Sequence, residues 1–174
     1  MDVRTLLATV PRPGRLAWIG LRTRRRGPMT TPALAEAVPG LGLLGDRRAE
    51  RARPDPAGRR QVTLVQAEHL PVLATLLARD EPVDPVALRR NLVVGGVNLH
   101  ALGKRRFTIG DVTFEATGPC HPCSRMEEEL GPGGYQAMRG HGGITARVLT
   151  HGTIHLGDPV ALCPPGDGPL GTAT

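Results

Sequence analysis

Aromatic side chains are nearly missing from this chain: Trp18, Phe107, Phe114 and Tyr135 are the whole set, 2% of 174 residues. Any core must therefore rest on Leu, Val, Ile and Ala. The aromatic platforms that stack single-stranded nucleic acid are also lacking, and no nucleic-acid-binding motif is visible, so nucleic acid is not an expected partner. Lysine is as scarce, with Lys104 alone, so the excess of 22 basic over 16 acidic residues is almost entirely guanidinium. No apolar run approaches the roughly 18 residues of a membrane span. The opening MDVRTLLATVPRPGRLAW lacks an apolar stretch long enough for a secretory signal. The expected location is the cytoplasm, with no membrane partner. Cysteine is limited to Cys120, Cys123 and Cys163, an odd number with two close together, unlike a secreted disulfide framework. At least one thiol is expected to stay reduced for use.

What the chain does have is glycine and proline, 23 and 17 residues, with no collagen-like period. They read as many turns between short elements, and 174 residues at 40% apolar content suit one domain with one core. RLAWIGLR (15–22) reads as an early strand and Thr30–Ala37 as a second. Arg47–Arg60, polar and broken by proline, reads as an exposed loop. QVTLV (61–65) is β-branched and apolar, a strand; Leu70, Leu73, Leu76 and Leu77 then recur at helical spacing within 66–77. Asp84 before Pro85 signals a helix start, since Asp caps free amides and Pro tolerates the first turn. LVV (92–94) turns extended. Arg106–Ile109 and Val112–Thr117, joined at Gly110-Asp111, alternate as a hairpin with one buried face. Helices are expected over 122–130 and 133–139, and closing strands at 146–149, 153–156 and 160–162. The sum is a mainly β protein with short helices (α+β), a barrel or two curled sheets with small helices over the openings. The expected boundaries are an extension at 1–14, the domain at 15–162 and a loose tail at 163–174.

Gly40, Gly42 and Gly45 spell G-x-G-x-x-G, but Pro39 precedes them and a Pro-broken polar loop follows. A dinucleotide fingerprint needs a strand before and an apolar helix after, so that reading fails on context. The strongest local signal is GPCHPCSRM (118–126), with Cys123 at a helix start. Unpaired amides there favour a thiolate, the form that binds metal or attacks as nucleophile. Four readings compete: a buried structural pair, a zinc site, a redox pair, and a single thiolate ligand for a metal that carries its own organic ligand. Zinc would want a second ligand pair, which His121, His141, His155 and Cys163 do not supply at zinc spacing. A redox pair would want a βαβ setting. Three further turns, GDRR (45–48), RRNLVV (89–94) and RGHGG (139–143), place Arg beside Gly or Asn. Together they suit a phosphorylated ligand, with guanidinium forks for phosphate and Gly for close backbone approach.

Five blocks in this order, GLGLLGDRR (40–48), RQVTLVQAEHL (60–70), RRNLVVGGVNLHAL (89–102), IGDVTFEATGPCHPCSRM (109–126) and GHGGITARVLTHGTIHLGDPV (140–160), resemble the MOSC domain. That domain is named from the C-terminal part of molybdenum cofactor sulfurases. The resemblance implies a β-barrel-like fold and a molybdenum cofactor, molybdopterin, as ligand. It also implies Cys123 as the molybdenum ligand and catalytic residue, by likeness to the second cysteine of the family's amidoxime-reducing members. Arg47 and Arg89 become cofactor contacts by the same likeness. Asn91, Cys120, His121, Ser124 and Gly142, in the same blocks, and Arg139, from the RGHGG turn, complete the candidate cofactor-binding set. The family's phosphate-contacting N-terminal turn has only a poor counterpart in TRRRG (23–27), which leaves Thr23 and Arg24 as secondary candidates.

The expected function is a molybdenum-dependent, pyridoxal phosphate-independent oxidoreductase that reduces N-hydroxylated small molecules. No sulfurase, ferredoxin or flavin domain accompanies it in this sequence, so a separate protein is expected to donate electrons or sulfur. The alternative is a non-catalytic carrier of the cofactor, or of sulfur on Cys123. A third reading, of another class, is a basic adaptor without cofactor.

Overall fold

The computed structural model describes residues 2–51 and 53–164; most of the expected tail lies outside them. In chain order the elements are α1 (Val3–Ala8), β1 (Gly14–Ile19), β2 (Leu21–Arg22), β3 (Met29–Thr30), β4 (Leu34–Val38), β5 (Gly42–Leu43), α2 (Arg47–Arg51), β6 (Val62–Gln66), α3 (His69–Leu76), α4 (Pro85–Leu88) and β7 (Leu92–Gly95). After a 3-10 turn at Leu99–Leu102 come β8 (Arg106–Ile109), β9 (Val112–Pro119), α5 (Ser124–Leu130), α6 (Gly134–Ala137), β10 (Ile144–Val148), β11 (Gly152–His155) and β12 (Pro159–Leu162).

Seven strands close a barrel in the order β1-β12-β8-β9-β10-β6-β7. All neighbours are antiparallel except β6 and β7, where Leu64 sits beside Leu92 in parallel register. Alternation explains the interior. Val112, Phe114 and Ala116 of β9 point inward with Phe107 and Ile109 of β8, and the two Phe rings stack at 5.6 Å. The small sheet β11-β4-β5 and the 3-10 turn extend this core with Ala35, Ala37, Ile154, Leu99 and Leu102.

The barrel bears out the expected fold class, but the helices are placed differently. α3, α4, α5 and α6 pack on the outward face of β6 and β7, where Val65 and Val93 meet Leu73, Leu88, Met126, Leu130, Ala137 and Met138. Those two strands are apolar on both faces because each face is covered, which is why QVTLV and LVV read as continuous apolar runs. A second difference is α2, inside the segment expected as loop. Asp46 accepts Arg48 N on its carboxylate and Glu50 N on its carbonyl, which starts a helical turn, and Ala49 is buried beneath it. Asp84 caps α4 through Val86 N at 2.9 Å, as its sequence signals. Gly40, Gly42 and Gly45 all have positive φ and serve turns around β5, and a Cβ at Gly42 would stand 2.5 Å from the Gln61 carbonyl oxygen.

Candidate functional site

The segment after β9 leaves the barrel wall at Pro119 and enters α5 at Ser124. Cys120 is buried; its amide donates to the Gly143 carbonyl at 2.8 Å, and its Sγ receives Arg60 Nη2 at 3.4 Å. Cys123 is exposed and is the N-cap of α5, its carbonyl accepting Met126 N at 2.8 Å. Pro122 therefore lies outside the helix, and the helix begins two residues later than its sequence suggests. The reason is backbone conformation: Cys123 is extended, at φ −127° and ψ 172°.

Behind the cysteines sits Arg90, only 6% exposed. Its Nε donates to the Gly142 carbonyl at 2.9 Å and its Nη1 to the Leu88 carbonyl at 3.0 Å, while its buried Nη2 has no partner. Burial pulls its pKa down, and negative charge on Cys120 or Cys123 would push it back up.

A second cluster adjoins the first. Asp46, 2% exposed, accepts from Arg22 N, Nε and Nη2 at 3.0, 2.9 and 3.1 Å, from Arg48 N at 3.0 Å and from Asn91 Nδ2 at 2.9 Å. Burial by itself would raise its pKa; the hydrogen bond and charge of Arg22, with the backbone amides of Arg22 and Arg48, outweigh that and hold it below the usual value. Arg89 stands between the clusters in left-handed conformation, φ 54°, as C-cap of α4. It is half-buried and donates through Nη1 to the Gly27 carbonyl at 2.8 Å. Burial and the nearby Arg125 lower its pKa.

The candidates of the sequence fall into three groups here. Cys120, Cys123 and Gly142 share one cluster, with Ser124 exposed at the first position of α5 and His121 exposed between the cysteines. Arg47 is half-buried at the start of α2, next to Asp46. Arg89 keeps nitrogens beyond the one given to Gly27. Asn91 departs from the expected role. It is 1% exposed, and its amide is spent on Asp46, the Gly20 carbonyl, Thr63 and Arg22, so it positions rather than binds. Gly142 also differs: a Cβ there would fall on the Cys120 carbonyl oxygen, so the glycine serves close packing of protein on protein. Arg139 is exposed, with Nη1 donating to Gln136 Oε1 at 3.2 Å. Thr23 donates to the Pro28 carbonyl, and Arg24 lies exposed in the same turn.

Sequence reasoning missed Arg90, Arg60, Arg22 and Asp46. The doublet Arg89-Arg90 ahead of the apolar β7 was visible, but alternation alone does not say which arginine turns inward. Each glutamate of α5 has its own partner: Glu127 with Gly133 N and Tyr135 N, Glu128 with Arg26 and Glu129 with Arg125. None of these partners is a group of the cysteine cluster. Among the described residues no set of three or more His, Cys, Asp or Glu is grouped to hold a bare metal ion. No described helix is long and apolar enough to cross a membrane.

The family model described as "MOSC domain" matches residues 43–161. No curated protein is significantly similar to the chain. Among solved structures, the YuaD protein from Bacillus subtilis aligns with a TM-score of 0.71 at 17% identity, covering 86% of this chain and 95% of that one. YiiM from Geobacillus stearothermophilus aligns at 0.66 and 18% identity, over 90% of this chain and 78% of that one. YiiM from Escherichia coli aligns at 0.64 and 19% identity, over 86% and 70%. At such identities the likeness is one of fold.

Proposed function

The chain belongs to the MOSC domain family, and from that membership we propose that it holds a molybdenum cofactor at Cys123 and reduces N-hydroxylated small molecules. Family membership is consistent with association with that cofactor; the reductase role goes further. The observation that carries it is the exposed Cys123 beside Arg90, whose buried Nη2 has no partner. A cofactor that brings its own dithiolene needs little from a protein: one thiolate, cations for its phosphate, and an open side for substrate. Cys123 would supply the thiolate. Arg89 and Arg47, half-buried at the adjoining turns, would hold the phosphate, and Arg90 would stabilise negative charge at the cysteine pair. Asp46 and Asn91 would fix the backbone from which Arg47 and Arg89 project.

When bound, the cofactor would supply two-electron redox chemistry next to Cys123. Reduction of R–NHOH to R–NH2 consumes two electrons and two protons and releases water, so a separate donor protein has to deliver reducing equivalents. The carrier reading uses the same cysteine and differs only in turnover.

The test is expression in a cofactor-competent host, followed by molybdenum and pterin analysis and an assay with reduced methyl viologen and an amidoxime. Stoichiometric molybdenum, with turnover lost in Cys123→Ser and kept in Cys163→Ser, is expected. Full loading without turnover would favour the carrier. A mass increase of roughly 32 Da on Cys123 would favour sulfur transfer.

A further inference from the structure

A cavity of about 350 Å³ opens on the outward face of β9 and β10, a size within the range of small-molecule sites. Glu115 and Arg147 sit opposite each other in strand register and pair at 2.5 Å. Arg59 and Lys104, from the flanking loops, line it with them, and the exposed Ala57 adds apolar surface. Three cations face one carboxylate, a net charge of 3 − 1 = +2. Glu115 is bracketed further, because Arg106 lies opposite it on the other side, in β8.

The disposition of these charges is not that of a solvated salt-bridge ladder. Arg147 gives Nη2 to Glu115, but its buried Nε has no acceptor. Arg59 is held in place by Thr117, donating through Nη2 to the Thr117 carbonyl at 2.8 Å while its own carbonyl accepts the Thr117 hydroxyl. Lys104 is exposed and is the only lysine of the chain. Bringing cations together in a concavity costs repulsion, which an anion would relieve, and a concave site focuses the field that attracts one. A phosphate monoester carries about −1.5 to −2 near pH 7, which matches the net charge of the lining.

We propose that this cavity binds a small phosphate monoester distinct from the cofactor, with phosphate among Arg59, Lys104 and Arg147 and the organic part against Ala57. None of these residues belongs to the Cys123 cluster. The neighbouring Arg60 does reach Cys120, so the loop borders both places. The inference does not depend on what Cys123 binds.

The experiment titrates the full chain with glycerol phosphate, inorganic phosphate and glycerol at constant ionic strength, followed by calorimetry and amide shifts. Saturable binding of glycerol phosphate is expected, with shifts at Arg59, Lys104, Glu115 and Arg147. Lys104→Ala, at an exposed position and so compatible with folding, should weaken it about tenfold by removing one charge-assisted contact. Glu115→Gln should tighten it, since the lining goes from +2 to +3. Unsaturable shifts, shifts centred on Arg47 and Arg89, or indifference to Lys104→Ala would overturn the site. Inorganic phosphate binding as tightly as the ester would overturn the ester assignment. Repeating the titration on molybdenum-loaded protein should give the same affinity. Loss of binding on loading would mean that the cofactor's own phosphate fills the cavity, and would overturn a separate ligand.

Discussion

Arg90 Nε donates to the Gly142 carbonyl at 2.9 Å, joining the residue two before β7 to the turn ahead of β10 across the buried side of Cys120. Both partners are constrained at that point. A Cβ on Gly142 would collide with the Cys120 carbonyl oxygen and stand 3.4 Å from Arg90 Nη2. Gly142→Ala should therefore destabilise by about 1–3 kcal/mol, toward the upper end because the obstructing atom is backbone. The measurement is a urea midpoint at unchanged m-value. A midpoint equal to wild type would show that the turn moves freely.

Cys123→Ser should lose molybdenum while leaving the melting temperature close to wild type, because the side chain is exposed. Cys120→Ser should do the reverse. It puts a hydroxyl in a buried sulfur site, costing about 1–2 kcal/mol, and it should retain metal. Elemental analysis and thermal melts on the same samples decide. Retained metal in Cys123→Ser with loss in Cys120→Ser would move the ligand by three residues.

Arg89 and Asn91 are two residues apart and should fail in opposite ways. Arg89→Ala is expected to weaken cofactor retention about ten- to a hundredfold with little change in fold stability, and Lys should rescue only in part because it lacks the fork. Asn91→Ala removes a buried hub that serves Asp46, Thr63 and the Gly20 carbonyl, and should cost about 2 kcal/mol or more in folding. Denaturation curves for the apoproteins and cofactor content for the loaded ones separate the two effects. Equal stability losses in both variants would remove the distinction.

Asp46→Asn breaks a pair with one side chain 3% and the other 24% exposed. The expected loss is about 3 kcal/mol at pH 7, at the lower end for buried pairs because water reaches Arg22. The folded carboxyl lies below its ordinary value of 3.8. Its stabilising contribution is therefore complete above that value and is lost as pH falls through the lower folded value. Urea midpoints taken below about pH 4 should fall with pH less steeply in Asp46→Asn than in wild type; parallel slopes would exclude this coupling.

His69 and His141 meet edge to face at 4.8 Å, each with a buried Nδ1 that has no partner. Burial, then the charge of His141 and more weakly that of His100, lower the His69 pKa from 6.5, against smaller opposing effects of a backbone hydrogen bond at His141 and of Glu68. Its contribution to stability is present above about pH 6.5 and is lost as pH falls toward the folded value. His69→Gln should flatten the decline in melting temperature between pH 7 and 5. An unchanged decline would assign it to other groups.

Much of the architecture was legible in local pattern. The alternation of Val112, Phe114 and Ala116, the turn at Gly110-Asp111, the cap Asp84-Pro85 and the two-sided apolar runs at 62–65 and 92–94 report short-range preferences that the folded chain keeps. The exposed Cys123 at the start of α5 was legible for the same reason, to within a residue or two at the helix boundary. Period-two alternation says which face a side chain takes, and not what that face will meet. Tertiary structure alone decided that the helices cover the β6–β7 wall, that Arg90 turns inward while the left-handed Arg89 stays at the surface, and that Asn91 is consumed by Asp46. These relations join residues 45 or more positions apart, Asn91 to Asp46 and Gly142 to Arg90, brought together only when the barrel closes. Burial then decides which polar groups must find protein partners and which are left for a ligand.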